Sequence, residues 1–117
     1  MTPVTRTRLE RVRASAGIAM LALQQIEDEL AVDDVTAQEL AEIVREFHRE
    51  ADPQQGLFGA LAQLLTVAAR TAERIEPDHD GDASCPLHEA AALITDNAGL
   101  RAYYATRALD PQGERAP

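Results

Sequence analysis

The sequence predicts an all-α fold, a four-helix antiparallel bundle with one short helix, and three observations lead there. Alanine fills 22 of 117 positions, leucine is the next main apolar residue, and β-branched residues are sparse. Ala and Leu are among the strongest helix formers. Apolar residues recur at spacings of three and four in four separate stretches, as helices with one buried face require. Short runs rich in Asp, Pro and Gly separate the stretches, and short connections make consecutive helices antiparallel neighbours. Aromatic residues are only 3% of the chain and Trp is absent. Such a core buries little area per residue, which favours helices that approach closely and a fold completed by a second copy.

The first helix is expected over residues 5–30. Leu9, Val12, Ala16, Ala19, Leu23, Ile26 and Leu30 alternate at three and four, a heptad seam of three repeats suited to close helix pairing. Residues 32–35 (Val-Asp-Asp-Val) interrupt it. The second helix is expected over 37–51, opened by a capping box in which Thr36 and Glu39 exchange bonds with each other's backbone amides. Leu40, Ile43, Val44, Phe47 and Ala51 form its apolar face, with His48 at the edge. Pro53 ends it, because the residue before proline is pushed out of helical geometry.

The third helix is expected over 54–76, with Asp52 as cap and Pro53 in the first turn. Its buried face would be Leu57, Leu61, Leu64, Ala68, Ala72 and Ile75, and Pro77 closes it. The fourth is expected over 86–109, opened by Pro86, with a kink or break at Asn97, Ala98 and Gly99. Residues 1–110 then form a single domain, and 111–117 a flexible tail. At 1.5 Å per residue the long helices span roughly 35–39 Å and the second about 24 Å. A short helix among long ones leaves a strip of groove uncovered, a place for a partner, a second copy or a ligand.

The formal net charge is −9, and all eleven basic residues are arginine. Such a balance opposes binding of nucleic acid or an anionic membrane over most of the surface. Arg6, Arg8, Arg11 and Arg13 precede an apolar run of ten residues. That run is too short to cross a bilayer, and no small-residue cleavage pattern follows it. One cysteine allows no intramolecular disulfide, so a reducing, cytoplasmic setting is expected.

Residues 78–89 crowd together most of the side chains suited to site chemistry. Asp78, Asp80, Asp82 and Glu89 stand at the first, third, fifth and twelfth places of a window that resembles an EF-hand loop. Alternating carboxylates let a tight loop wrap one calcium ion, with the last Glu closing it. Ala83 stands where glycine makes the sharp turn, Cys85 replaces an aliphatic residue, and Pro77 precedes the first ligand. His79, Cys85 and His88, with Asp82, offer a mixed set for zinc, at spacings that match no established zinc pattern. As a solvated acidic linker, the same residues are ordinary loop formers whose carboxylates complement the following helix dipole.

No Ser/His/Asp set, phosphate-binding glycine loop or nucleotide fingerprint is present, and a non-catalytic protein is expected. Residues 36–41 (Thr-Ala-Gln-Glu-Leu-Ala) resemble the start of a helix-turn-helix, but the would-be reading helix has no Arg until Arg70. The first helix carries another signal. Its Arg residues, Arg6 and Arg13 among them, lie at the N-terminal end, and Glu27, Asp28 and Glu29 at the C-terminal end. Both placements oppose the helix dipole. Antiparallel pairing of two copies sets each basic end against an acidic one, the acidic end of helix two (Glu46, Glu50 and Asp52) offers the same compensation within one chain, and solvation and screening of the charges is the plain alternative. The leading expectation is a protein-protein interaction or regulatory protein, homodimeric through helix one. A metal-binding module at 78–89 and a small nucleic-acid-associated regulator using the N-terminal Arg arm are the alternatives.

Overall fold

The computed structural model describes residues 6–75 and 81–113. Its elements are α1 (Arg8–Leu30), α2 (Ala37–Phe47), α3 (Gly56–Ile75), α4 (Ser84–Leu93), a π-helical segment (Ile94–Ala98) and α5 (Gly99–Leu109). The last three follow one another without interruption, so there are four helical stretches and, among the described residues, no strand. The fold is all-α. Contacts divide the chain into two compact units, Met1–Val35 and Thr36–Pro117.

The first unit is built on α1. It begins at Arg8 rather than at Thr5 because Thr7 caps it. The Thr7 hydroxyl accepts from Glu10 N at 3.1 Å, and Glu10 Oε1 accepts from Thr7 N at 3.3 Å. This reciprocal box holds Thr7 extended, just outside the helix. The helix carries no buried residue. Leu9 and Val12 are 56% and 57% exposed, and Ile26 and Leu30 are half-buried. Ile18, Met20 and Leu21 are exposed as well, so apolar side chains extend beyond the seam.

In the second unit, α2 starts where expected, with the Thr36 hydroxyl accepting from Glu39 N at 3.0 Å. It ends at Phe47, four residues before the expected Ala51. His48 turns extended, with φ −145° and ψ 123°, and its side chain is buried instead of lying at the edge of a helix. Phe58 holds this corner, with its ring 6.3 Å from Phe47 and 6.4 Å from His48. Ala51, expected on the apolar face, is exposed beyond the helix end.

The start of α3 also shifts, from Gln54 to Gly56. Asp52 does not cap the helix directly. Its carbonyl accepts from Gln55 N at 2.9 Å and its carboxylate from Gln54 N at 3.3 Å, closing a separate turn. Gly56 then reverses the chain at φ +91°, where a Cβ would meet the Phe47 carbonyl oxygen at 2.9 Å. Only glycine adopts this conformation freely and leaves that space.

The face of α3 that packs is not the expected one. Gly59, Ala62 and Ala69 are buried. Leu57, Leu61, Leu64 and Ile75 are exposed, and only Ala68 and Ala72 of the predicted stripe are half-buried. Both faces satisfy a helical period, but the small residues let α4 approach more closely, through Ala91. Glu73 near the end of α3 bonds His88 near the start of α4, while Gly59 and Leu100 share a cleft at the other end. The two helices are therefore antiparallel.

Helix four starts at Ser84, two residues before Pro86. Proline fits in the first turn because the amide it lacks would have no partner in the helix. No break occurs at residues 97–99. Instead the turn widens, with Gly99 N–H bonding Ile94 O five residues back. The Thr95 hydroxyl folds back toward the carbonyls of Ala91 and Ala92. A Cβ on Gly99 would lie 2.6 Å from His48 Nδ1 and Cε1, so the imidazole packs on the bare Cα. Arg45 Nη1 and Asp110 Oδ2, 3.5 Å apart, tie α2 to the end of α5. Residues 111–113 form a turn with Gly113 N on Asp110 O, and the rest of the expected tail, 114–117, lies outside the described residues.

One substitution at two glycines should act with opposite signs. Gly17→Ala, which meets nothing within 4 Å, is expected to raise stability by about 0.5–1 kcal/mol. Gly99→Ala is expected to lower it by about 1–3 kcal/mol. Urea midpoints of the two variants check this, and a neutral Gly99→Ala removes the steric role of His48.

Candidate functional site

Three places hold side chains suited to site chemistry or to partner binding, and the sequence pointed to two of them by residue. In the 78–89 segment, Asp78, His79 and Asp80 lie outside the described residues. Gly81 turns the chain at φ +83°, and its carbonyl accepts from Cys85 N at 2.9 Å. Asp82, Cys85, His88 and Glu89 are exposed. Ser84 already lies in α4, so Cys85, His88 and Glu89 stand on one helix. His88 looks toward α3, with Nε2 2.7 Å from Glu73 Oε1. Glu73 was missed from sequence, because fifteen residues separate the pair and only helix packing brings them together. Among the described residues, no three His, Cys, Asp or Glu side chains form a group that could hold a metal ion.

The second place is α1. Its 23 residues extend for about 34 Å, and the seam from Leu9 to Leu30, with Ala16 and Ala19 at its middle, runs the whole length. Arg6 and Arg13 mark the basic end and Glu27 the acidic end, all exposed. At the basic end, Arg11 bonds the Arg6 carbonyl. At the acidic end, Gln24 Nε2 donates to Asp28 Oδ1 at 3.2 Å. Glu10 is the only acidic residue in the first turn, and no basic residue occupies the last. The charge order against the dipole therefore persists along the folded helix.

The third place was foreseen only as an uncovered strip beside a short helix. A cleft of about 800 Å³ opens beyond the end of α2, between residues 48–54, α3, α4 and the π segment. Glu50, Asp52 and Asp96 bring carboxylates to its wall, and Ala62, Ala91 and Leu100 bring apolar surface. His48 is part of the wall. Its side chain is 2% exposed, Nε2 lies 3.3 Å from Glu50 Oε2, and Nδ1 is buried without a hydrogen-bond partner among the described residues. An unpaired buried polar atom costs about 1–3 kcal/mol. A π turn, rare and often found at functional sites, places Thr95 and Asp96 in the same wall. In sequence the only trace was a histidine at the edge of an apolar face. Nothing local marks Asp96.

No helix among the described residues is long and apolar enough to cross a membrane. No family model, curated protein or solved structure matches the chain.

Two measurements follow from these contacts. Glu73→Gln is expected to change stability by less than about 1 kcal/mol in chemical denaturation, because the Glu73 and His88 side chains are 52% and 43% exposed. A larger loss would make this pair a structural tie between α3 and α4. One equivalent of calcium or zinc is expected to leave the melting temperature unchanged, and a rise would identify residues 78–89 as a metal site.

Proposed function

We propose that the protein is a non-catalytic, cytoplasmic interaction protein whose first partner is a second copy of itself, paired antiparallel along α1. The observation that carries this reading is the exposed heptad seam of α1, running between a basic and an acidic end. A solvated helix keeps its apolar residues to one buried stripe. In α1, Leu9, Val12 and Leu23 of the seam are exposed, together with Ile18, Met20 and Leu21 outside it. That much apolar surface on one helix calls for a partner.

Charge selects the orientation. In a parallel pair the four Arg of one copy would meet the four Arg of the other, and the acidic ends would meet likewise. In an antiparallel pair each basic end faces Glu27, Asp28 and Glu29 of the other copy. Partner charges then offset the unfavourable dipole placements, each worth about 0.3–1 kcal/mol when exposed. Ala16 and Ala19 at the middle of the seam let the two backbones approach closely where the helices cross. Such an interface is isologous, so it closes at two copies.

Native mass spectrometry and sedimentation should find a dimer whose affinity falls as salt rises. Leu23→Asp is expected to weaken it at least about tenfold, or 1.4 kcal/mol. Replacing the four N-terminal Arg by Glu should weaken it, and adding Arg at 27, 28 and 29 in the same chain should restore it. A protein that stays monomeric at high concentration overturns the reading, and so does a dimer indifferent to both the seam and the charge reversal.

A further inference from the structure

We propose that the exposed stripe of α3 is a second docking face for another copy of this chain, paired antiparallel about a two-fold axis and separate from the pairing through α1. The stripe lies wholly within the Thr36–Pro117 unit. Leu57, Leu61, Leu64 and Ala68 alternate at four and three, and Thr71 and Ile75 continue the spacing, a period that suits one helix to another. By helical geometry this stripe stands opposite Gly59, Ala62 and Ala69, the residues buried within the unit.

Composition, area and charge point to a second copy as the occupant. Residues 56–69 contain no charged side chain, in a chain that is 26% charged. A helix face in water carries polar and charged residues. One without them suits a surface equally free of charge, and the same stripe on a second copy is such a surface, matched in length and spacing. Leu57, Leu61 and Leu64 are 40%, 47% and 63% exposed, and Val67 is exposed beside them. With Ala60 and Ala68 these side chains present on the order of 500 Å², so a two-fold pair buries about 1,000 Å², the lower end of a specific interface. The contact is therefore weak and depends on concentration. Arg70 and Arg74 follow the stripe near the end of α3. A parallel pair would set these arginines beside those of the other copy. An antiparallel pair holds them at opposite ends and opposes the two helix dipoles. With Leu61 of one copy across from Leu64 of the other, Leu57 meets Ala68, a large side chain against a small one. The contact is isologous, so it joins dimers formed through α1 into larger assemblies.

Sedimentation and native mass spectrometry of the full chain over a range of concentrations test this. Leu23→Asp weakens pairing through α1, and Leu61→Asp places a charge in the α3 stripe. The unaltered chain is expected to associate beyond a dimer at high concentration. Leu23→Asp is expected to keep a dimer that added salt does not weaken, because no unlike charges meet in it. Leu61→Asp is expected to weaken the α3 contact at least about tenfold, alone or with Leu23→Asp, while circular dichroism shows unchanged helix content. In the unaltered protein, amide shifts at Leu57, Leu61, Leu64 and Ala68 are expected to move with concentration, a readout that needs no variant. A failure of pairing through α1 reads differently: Leu23→Asp then changes nothing, and Leu61→Asp alone makes the chain monomeric. The proposal is overturned by a Leu23→Asp chain that stays monomeric, by a folded Leu61→Asp chain that associates as the unaltered one does, or by stripe amides indifferent to concentration.

Discussion

The imidazole of His48 lies against the bare Cα of Gly99, and much of the Thr36–Pro117 unit is arranged around that contact. For the ring to reach it, α2 must stop at Phe47 and the chain must run out extended. The helix opposite must offer a residue without a side chain at that height. The widened turn over Ile94–Ala98 leads directly into Gly99, so the π segment, the early end of α2 and the placement of Phe58 all meet at one corner. A protein interior is close-packed, and a methyl group added there has nowhere to go.

The same corner produces the cleft. Because α2 ends early, residues 48–54 run as a connection beside α3 and α4 instead of covering them as a helix. Glu50 and Asp52 thereby come to line the same cleft as Asp96, together with Ala62, Ala91 and Leu100. The cost is a buried imidazole nitrogen without a partner among the described residues, in a unit whose buried apolar side chains, among those residues, are all alanine. Small side chains bring α3 and α4 close but leave little area to offset unsatisfied polar atoms. What remains outside is correspondingly apolar: the Leu57, Leu61 and Leu64 stripe of α3 is exposed.

Helix existence was readable because it depends on local terms. Ala and Leu content, periodicity, and the Thr36 and Pro53 signals placed four helices to within a few residues. The boundary differences have local causes too. Thr7 and Glu10 form a capping box as plain as the one anticipated at Thr36, and Gly56 had to reverse the chain. The α3 face was misread for a different reason. Leu57, Leu61, Leu64 and Gly59, Ala62, Ala69 are both consistent with a helix, and period does not say which face a neighbour will choose. The choice went to the face with the least bulk.

The sequence by itself therefore determined the helical class, the number of helices, the seam of α1 and the separation of its charges. These follow from propensity, spacing and charge, which act within one turn or one helix. Only the tertiary structure decided the meeting of His48 with Gly99, the pairing of Glu73 with His88, the packed face of α3 and the gathering of Glu50, Asp52 and Asp96 around a cleft. Each joins residues far apart in the chain, and the energy of such a meeting depends on how closely two helices approach. That distance is set by the packing of every side chain between them, and no single segment contains it.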